Sequence, residues 1–246
     1  MKRFAGKVVL VTGASTGIGL ETIFRIQEEG GVVYAAHRRK QPDIDFRGAR
    51  ALRLDVTNEQ EWRAAIDQIV NESGRLDVLV NNAGIRESGT IEETDLKLWY
   101  HLIDTNLTST FLGCQAAVPA IRRSGGGAIV NVGSITGIRG TENMVAYSAS
   151  KSGVVAMTSS LALDLAKDNI RVNAVCPAAI RTRMVTGWLS QSPDQVAAEA
   201  ALVRKHPLGR IGEAWEVASV IAFLASDDAG FMTGLSIPVD GGRSIR

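Results

Sequence analysis

Tyr147 and Lys151 stand four residues apart in Ala146-Tyr147-Ser148-Ala149-Ser150-Lys151, within a stretch of helical period. Side chains at that spacing share one helix face and reach the same bound molecule. A free tyrosine gives up its proton near pH ~10 and carries protons poorly at neutral pH. An ammonium beside it favours the phenolate and moves its pKa toward the working pH, which is the chemistry of a general acid and base. Taken alone, such a pair is also a common helix-surface contact, so its meaning depends on what the rest of the chain brings to it.

A second constellation lies near the start. Thr12-Gly13-Ala14-Ser15-Thr16-Gly17-Ile18-Gly19 follows an apolar run and opens a helical pattern, Leu20–Glu29. Gly13 permits a tight turn, Gly17 lets backbone approach a pyrophosphate, and Gly19 lets helix pack closely on strand. A helix N-terminus also offers unpaired N–H groups and a positive dipole end to phosphates, so this is a dinucleotide loop by its physics.

Short β-branched runs alternate with longer helical stretches, the pattern of βαβ units around a parallel sheet. Strands are expected at Val8–Val11, Val32–Ala36, Ala51–Leu54, Val78–Val80, Ala128–Val132, Arg171–Val175 and Ser236–Val239. Most are apolar on both faces, as sheets covered by helices on both sides require. Helices are expected at Gly17–Glu29, Glu59–Asn71, Leu96–Val118, Ala146–Lys167, Asp194–Lys205 and Ala214–Ala225, with Pro119 ending or kinking the third. No repeat, low-complexity tract or linker divides the chain.

In this order the motifs resemble the short-chain dehydrogenase/reductase family. Thr12–Gly19 is similar to its TGxxxGxG loop, and Asn81-Asn82-Ala83-Gly84 resembles its NNAG motif. The likeness continues through Asn106, Ser134, the Tyr147–Lys151 segment and Val239-Asp240-Gly241-Gly242, and spans essentially the whole chain. It implies an α/β, single-domain, doubly wound Rossmann fold over 1–246, a seven-stranded parallel sheet flanked by helices, with a variable substrate lid at about 183–210. It implies that Ser134 holds a substrate oxygen beside the Tyr147 hydroxyl and that Lys151 also hydrogen-bonds the nicotinamide ribose. Asn106 then distorts its helix and anchors a water leading from Lys151 to solvent. The implied nucleotide contacts are Gly13, Ser15, Thr16, Gly17, Ile18, Gly19, Asp55, Val56, Asn82, Ala83, Gly84, Tyr147, Lys151, Pro177, Ala178, Ile180 and Thr182. Asp55, placed against the adenine by the resemblance, also suits a local cap before the helix after Thr57.

The acidic residue that would bind the adenosine ribose of NAD is expected about 20 residues after the glycine loop. Here Ala36-His37-Arg38-Arg39-Lys40 occupies that region, with no carboxylate before Asp43. A carboxylate repels the extra phosphate of NADP, whereas arginine offers it planar, multidentate donors. NADP(H) is therefore expected over NAD(H), with Arg38 as the main contact and His37 or Arg39 as helpers.

Family members commonly carry Pro-Gly after strand six; this chain has Cys176-Pro177-Ala178-Ala179. The added methyl of Ala178 narrows the space beside the nicotinamide and puts substrate shape in question. Ile135, Met144, Ala179, Met184 and Trp188 are expected to form an apolar pocket, with charges from Arg86, Arg139, Glu142 and Arg183.

The 246 residues are 45% hydrophobic with a formal net charge of +1, the balance of a folded chain and not of a disordered one. The charge is spread out, which argues against nucleic acid or anionic membrane as partners. Cys114 and Cys176 form no CxxC pair and have no histidine at metal-ligand spacing, so no disulfide framework and no metal site are expected and a cytoplasmic location fits. The apolar run Val8–Val11 is too short for a signal-peptide core.

These readings converge on an NADP(H)-linked oxidoreductase passing hydride between nicotinamide and a small-molecule carbonyl or alcohol carbon. Alternatives are a 3-oxoacyl-(acyl-carrier-protein) reductase, for which Arg122 and Arg123 offer a basic docking patch, an NAD-linked sugar or polyol dehydrogenase, and a non-catalytic NADP-sensing protein. The resemblance also implies a homotetramer assembled through the two long helices, Leu96–Val118 and Ala146–Lys167, and through the C-terminal strand.

Overall fold

The computed structural model describes residues 2–38 and 44–246; Met1 and the stretch 39–43, which includes Arg39, lie outside the described residues. Seven strands form one parallel sheet: β1 (Val8–Thr12), β2 (Val32–His37), β3 (Arg50–Arg53), β4 (Val78–Asn81), β5 (Gly127–Val132), β6 (Ile170–Pro177) and, at the far edge, Ser236–Val239. The spatial order is β3-β2-β1-β4-β5-β6 followed by that last strand. The chain winds outward from β1 in one direction and from β4 in the other, so a crevice opens where β1 and β4 lie side by side, Val9 opposite Val78 and Val11 opposite Val80. In open α/β sheets this switch point, at the carboxyl ends of the strands, is where ligands bind.

Both faces of the sheet are covered. Helix α1 (Gly17–Glu28) puts Ile23 and Ile26 against Val9, Val11, Val33 and Val217. The opposite layer comprises α2 (Glu59–Ser73), α4 (Ser109–Arg123) and α5 (Val145–Leu165). Trp62, Ile66 and Ile69 of α2 pack there with Cys114, Ala117, Ile121 and Leu165 against Leu10, Leu79 and Ile129. Strand residues with no solvent face explain why these runs are apolar without alternation.

The third expected helix is corrected in two ways. It is divided into α3 (Leu96–Ile103) and α4 (Ser109–Arg123) by a π-helical turn at Asp104–Thr108, and it continues past Pro119 to Arg123 instead of ending there. The extra residue of the π turn aims Asn106 inward, where its carboxamide clamps the main chain of Ile85. Pro119 and Gln115, one turn earlier, face solvent. Water can therefore hydrate the carbonyl that loses its donor, which weakens proline's usual penalty. Helix α5 spans Val145–Leu165 and ends in a short 3-10 turn.

After β6 come β7 (Ile180–Arg181), α6 (Arg183–Leu189), α7 (Gln195–Arg204), β8 (Gly212–Glu213) and α8 (Ala214–Ala225), followed by Ser236–Val239 as β9; α6 and α7 lie in the stretch 183–210, whereas α8 packs in the core. The two-residue strands β7 and β8 pair in parallel just ahead of α6 and α8. Among the described residues no helix is long and apolar enough to cross a membrane.

Candidate active site

The glycine loop is fixed by close backbone contacts. Gly13 and Gly17 have φ of 63° and 59°, a region costly for side chains. A Cβ on Gly19 would run into the Gly13 carbonyl and come within 2.5 Å of Asn82 Nδ2. One on Gly17 would lie 2.8 Å from Thr182 Cγ2, so Gly17 leaves room for Thr182 against the loop. Thr16 precedes α1 in extended conformation without a side-chain cap. The first N–H groups of α1 thus remain open to a phosphate. This cradle and these uncapped donors fit a dinucleotide.

Thr12 at the end of β1 was not singled out by sequence, yet its hydroxyl accepts from the N–H groups of Asn82 and Ala83, each at 3.0 Å. Asn82 Nδ2 returns a 2.8 Å bond to the Thr12 carbonyl, which locks the NNAG segment to the glycine loop. A Cβ on Gly84 would stand 3.0 Å from Asn106 Oδ1 and 3.3 Å from Lys151 Nζ, so that glycine is what allows the three to meet.

Tyr147, Ser134 and Lys151 are all buried. Burial pushes the Tyr147 phenol above its ordinary value, opposed by a hydrogen bond with Ser134 and by the charge of Arg86. Within the chain desolvation outweighs both, and Arg86 is the cation acting on the phenol. Lys151 Nζ instead donates to the Val132 carbonyl at 2.8 Å, and burial lowers its pKa to about 8. Asn106 Nδ2 donates to Ser150 Oγ at 3.0 Å, and Ser150 donates to the Tyr147 carbonyl at 2.7 Å, so Asn106 braces the start of α5. Ser134 Oγ also accepts from Thr136 N and Oγ1, at 3.2 and 3.1 Å.

At the far end of the crevice, Ala36 and His37 are buried; the His37 ring stacks on Phe46 with centroids 5.8 Å apart. Arg38 is exposed and lies close enough to act on Asp55. Burial works to raise the Asp55 carboxyl, but bonds from Thr57 and the charges of Arg38 and Arg53 hold it below its ordinary value. Asp55 caps the local turn through Thr57, while Asn58 caps α2 itself. Val56 is half-buried beside it, as Ser15 is in the glycine loop.

Two cavities meet at Ser134, Tyr147, Ala178 and Met184. One, about 180 Å³, runs along Gly13, Thr16, Gly17, Ile18, Asn82, Ala83, Gly84, Lys151, Pro177, Ile180 and Thr182. The other, about 930 Å³, is lined by Ile135, Met144, Ala179 and Trp188 together with a ring of cations from Arg86 to Arg246. The structure thus brings all five expected pocket residues to one cleft, with the Ala178 methyl on the seam between the two. Arg204, Lys205, Arg243 and Arg246 were not foreseen, and nothing in their spacing signals that they share a site with Arg86.

A family model described as enoyl-(acyl carrier protein) reductase matches residues 13–244. The chain is 40% identical to cyclopentanol dehydrogenase of Comamonas testosteroni over 98% of either chain. It is also 40% identical to the 3-oxoacyl-(acyl-carrier-protein) reductase of Thermotoga maritima, over 99% of this chain and 100% of that one. Among solved structures, ligand-free aldohexose dehydrogenase of Thermoplasma acidophilum is similar with a TM-score of 0.92 and 40% identity, covering 99% of this chain and 96% of that one.

Proposed function

The chain belongs to the short-chain dehydrogenase/reductase family, a family of nicotinamide-dependent oxidoreductases, and from that premise we propose that it transfers hydride between NADP(H) and a carbonyl or alcohol carbon. The observation that carries this reading is the seam: Ser134 and Tyr147 line both the nucleotide groove and the larger cleft. A carbonyl in the cleft then has its oxygen at the two hydroxyls and its carbon facing the groove.

Bound nicotinamide supplies or accepts the hydride. In the reduction direction Ser134 orients the carbonyl oxygen and Tyr147 gives that oxygen its phenolic proton as the new C–H bond forms. The resulting phenolate is reprotonated from the Lys151 side, with Asn106 bracing the helix that holds both. Gly13, Thr16, Gly17 and Ile18 would hold the pyrophosphate, and Asn82–Gly84, Pro177, Ile180 and Thr182 would hold the nicotinamide end. The exposed Arg38, beside Asp55 and with no carboxylate at Ala36 or His37, supports NADP(H) over NAD(H). The 3-oxoacyl carrier reading keeps the support of the 40% identity to the Thermotoga maritima reductase; of its two docking arginines, Arg122 is held by Asp168 at 2.5 Å and Arg123 is exposed.

The test is NADPH oxidation, followed by absorbance, against ketones, sugars, imines and oxoacyl thioesters, with Tyr147→Phe alongside. Turnover of a ketone that falls by about 10²- to 10⁴-fold in the variant, with NADPH binding retained, supports the reading. Near-normal turnover in Tyr147→Phe overturns it.

A further inference from the structure

Several arginines outside the large cleft are matched by carboxylates: Arg3 by Glu29, Arg75 by Asp77, Arg181 by Glu199 and Glu213, and Arg210 by Glu216. The large cleft differs. Its lining holds six cationic side chains, including Arg86, Arg139 and Arg243, against the single acidic Glu142. Among the described residues, none of the six forms an ion pair with an Asp or Glu side chain.

The six do not share one role. Arg139 donates to the main-chain oxygens of Arg243 and Arg246, and Arg246 donates to the Arg204 carbonyl at 2.5 Å. These bonds fasten the C-terminal segment across the mouth of the cleft and so place Arg243. Arg86 and Arg243 are different. Both are half-buried, and among the described residues neither guanidinium donates a hydrogen bond. Arg86 lies over the Trp188 ring of the lid, 5.3 Å from its centroid, and its charge acts on the Tyr147 phenol.

Burial and the neighbouring charges of Arg139 and Arg86 push Arg243 below its ordinary pKa, with Asp240 opposing them only in part, and burial does the same to Arg86 against the charge of Glu87. Gathering desolvated like charges costs free energy unless something of opposite sign joins them. Each guanidinium presents a fork of donors matched to a carboxylate or phosphate.

We propose that Arg86 and Arg243 anchor an oxyanion carried by the substrate, so that this chain acts on an anionic hydroxy or oxo compound, its carboxylate or phosphate held at the cleft mouth while its alcohol or ketone carbon lies at Tyr147. The placement of the reacting carbon rests on the redox reading above; the recognition of the anion does not.

The test is therefore binding without turnover. Cyclohexanecarboxylate, cyclohexyl phosphate and the neutral isostere cyclohexanecarboxamide are titrated calorimetrically into the full chain with NADPH present. At least one anion is expected to bind tenfold or more tightly than the amide, with a preference that shrinks as salt is added. Whichever anion binds more tightly identifies the group. Arg243→Gln should bring the anion-to-amide ratio toward one, and because it removes a repelled charge, its melting temperature should not fall; Arg86→Gln repeats the test from the other side of the cleft. Equal binding of acid, phosphate and amide, or a preference unchanged in both variants, overturns the proposal and leaves the cluster as a surface covered by another subunit. Anion binding without turnover of any ketone would sink the redox reading alone, whereas turnover of neutral ketones without anion preference would sink only this one.

Discussion

The Lys151 ammonium donates its hydrogen bond to the carbonyl oxygen of Val132, at 2.8 Å and away from solvent. One strand end thus fixes the base of the proton path, and the burial that fixes it also lowers the lysine pKa to about 8 from 10.5. Resupply of the Tyr147 proton needs the protonated lysine, so ketone reduction should decline as pH rises through about 8. Rates measured from pH 6 to 10 with saturating NADPH check this; a profile flat to pH 10 would place the proton source elsewhere.

The same shift has a stability consequence with a definite sign. Between about pH 8 and 10.5 the unfolded chain keeps the Lys151 proton and the folded chain does not. Stability contributed by this group therefore rises with pH across that window and is lowest below it. Lys151→Met removes the dependence and leaves the Val132 carbonyl without a partner. The difference in urea midpoint between wild type and variant should move toward wild type as pH goes from 7.5 to 10. A difference that does not change with pH would mean that this lysine is not the buried cation described here.

Gly19→Ala should cost both fold and nucleotide. Its Cβ would meet the Gly13 carbonyl and Asn82 Nδ2, and neither can give way without breaking the lock between loop and NNAG segment. A loss of about 1–3 kcal/mol is expected, with NADPH affinity down at least tenfold. Gly187→Ala in α6 is the control: nothing lies within 4 Å of its added methyl, and helix propensity predicts a gain of about 0.5–1 kcal/mol. Thermal melts of both variants, with and without NADPH, decide the matter. Equal melting temperatures would refute the packing argument.

Self-association should use the outer faces of α4 and α5. Phe111 on α4 and Leu163 on α5 leave 48% and 82% of their surface exposed, and Leu96 and Tyr100 on α3 are exposed beside them. Ala156, Ser159 and Ala166 also face outward, whereas Ala162 packs within its own subunit. Four copies by light scattering at micromolar concentration are expected, with Phe111→Glu shifting the mass downward. A monomeric wild type would contradict this.

What the sequence made legible divides by length scale. Strands apolar on both faces, glycines at a turn and a Tyr/Lys pair on one helix turn are local signals, and the seven strands fall close to their expected places. A helix distortion at Asn106 followed from the resemblance alone; periodicity did not register the π turn at Asp104–Thr108, because its cause, the clamp of Asn106 on Ile85, is tertiary. Helix α6 and the two-residue strands β7 and β8 are too short for periodicity to register. The cationic cleft was only half visible: Arg86 and Arg139 stood out near the motifs, but the fold alone brings Arg243 and Arg246 across to them.

Cofactor choice can be tested without knowing the substrate. Arg38 follows β2, exposed to solvent and close enough to lower the Asp55 carboxyl, so it offers its guanidinium to a ribose phosphate at the adenosine end of the crevice. Charge-assisted hydrogen bonds contribute about 1.5–3 kcal/mol each, which corresponds to roughly 10- to 150-fold in affinity. Arg38→Ala should weaken NADPH by about that factor and leave NADH nearly unchanged, with the difference shrinking in high salt because the group is exposed. His37 is a poorer handle, since its buried ring stacks on Phe46 and a substitution there disturbs packing as well as charge. Dissociation constants of both nucleotides, titrated without substrate against wild type and Arg38→Ala, provide the comparison. Wild type binding NADH as tightly as NADPH, or a variant weakened equally for both, would make Arg38 an ordinary solvated charge and remove the preference for NADP(H).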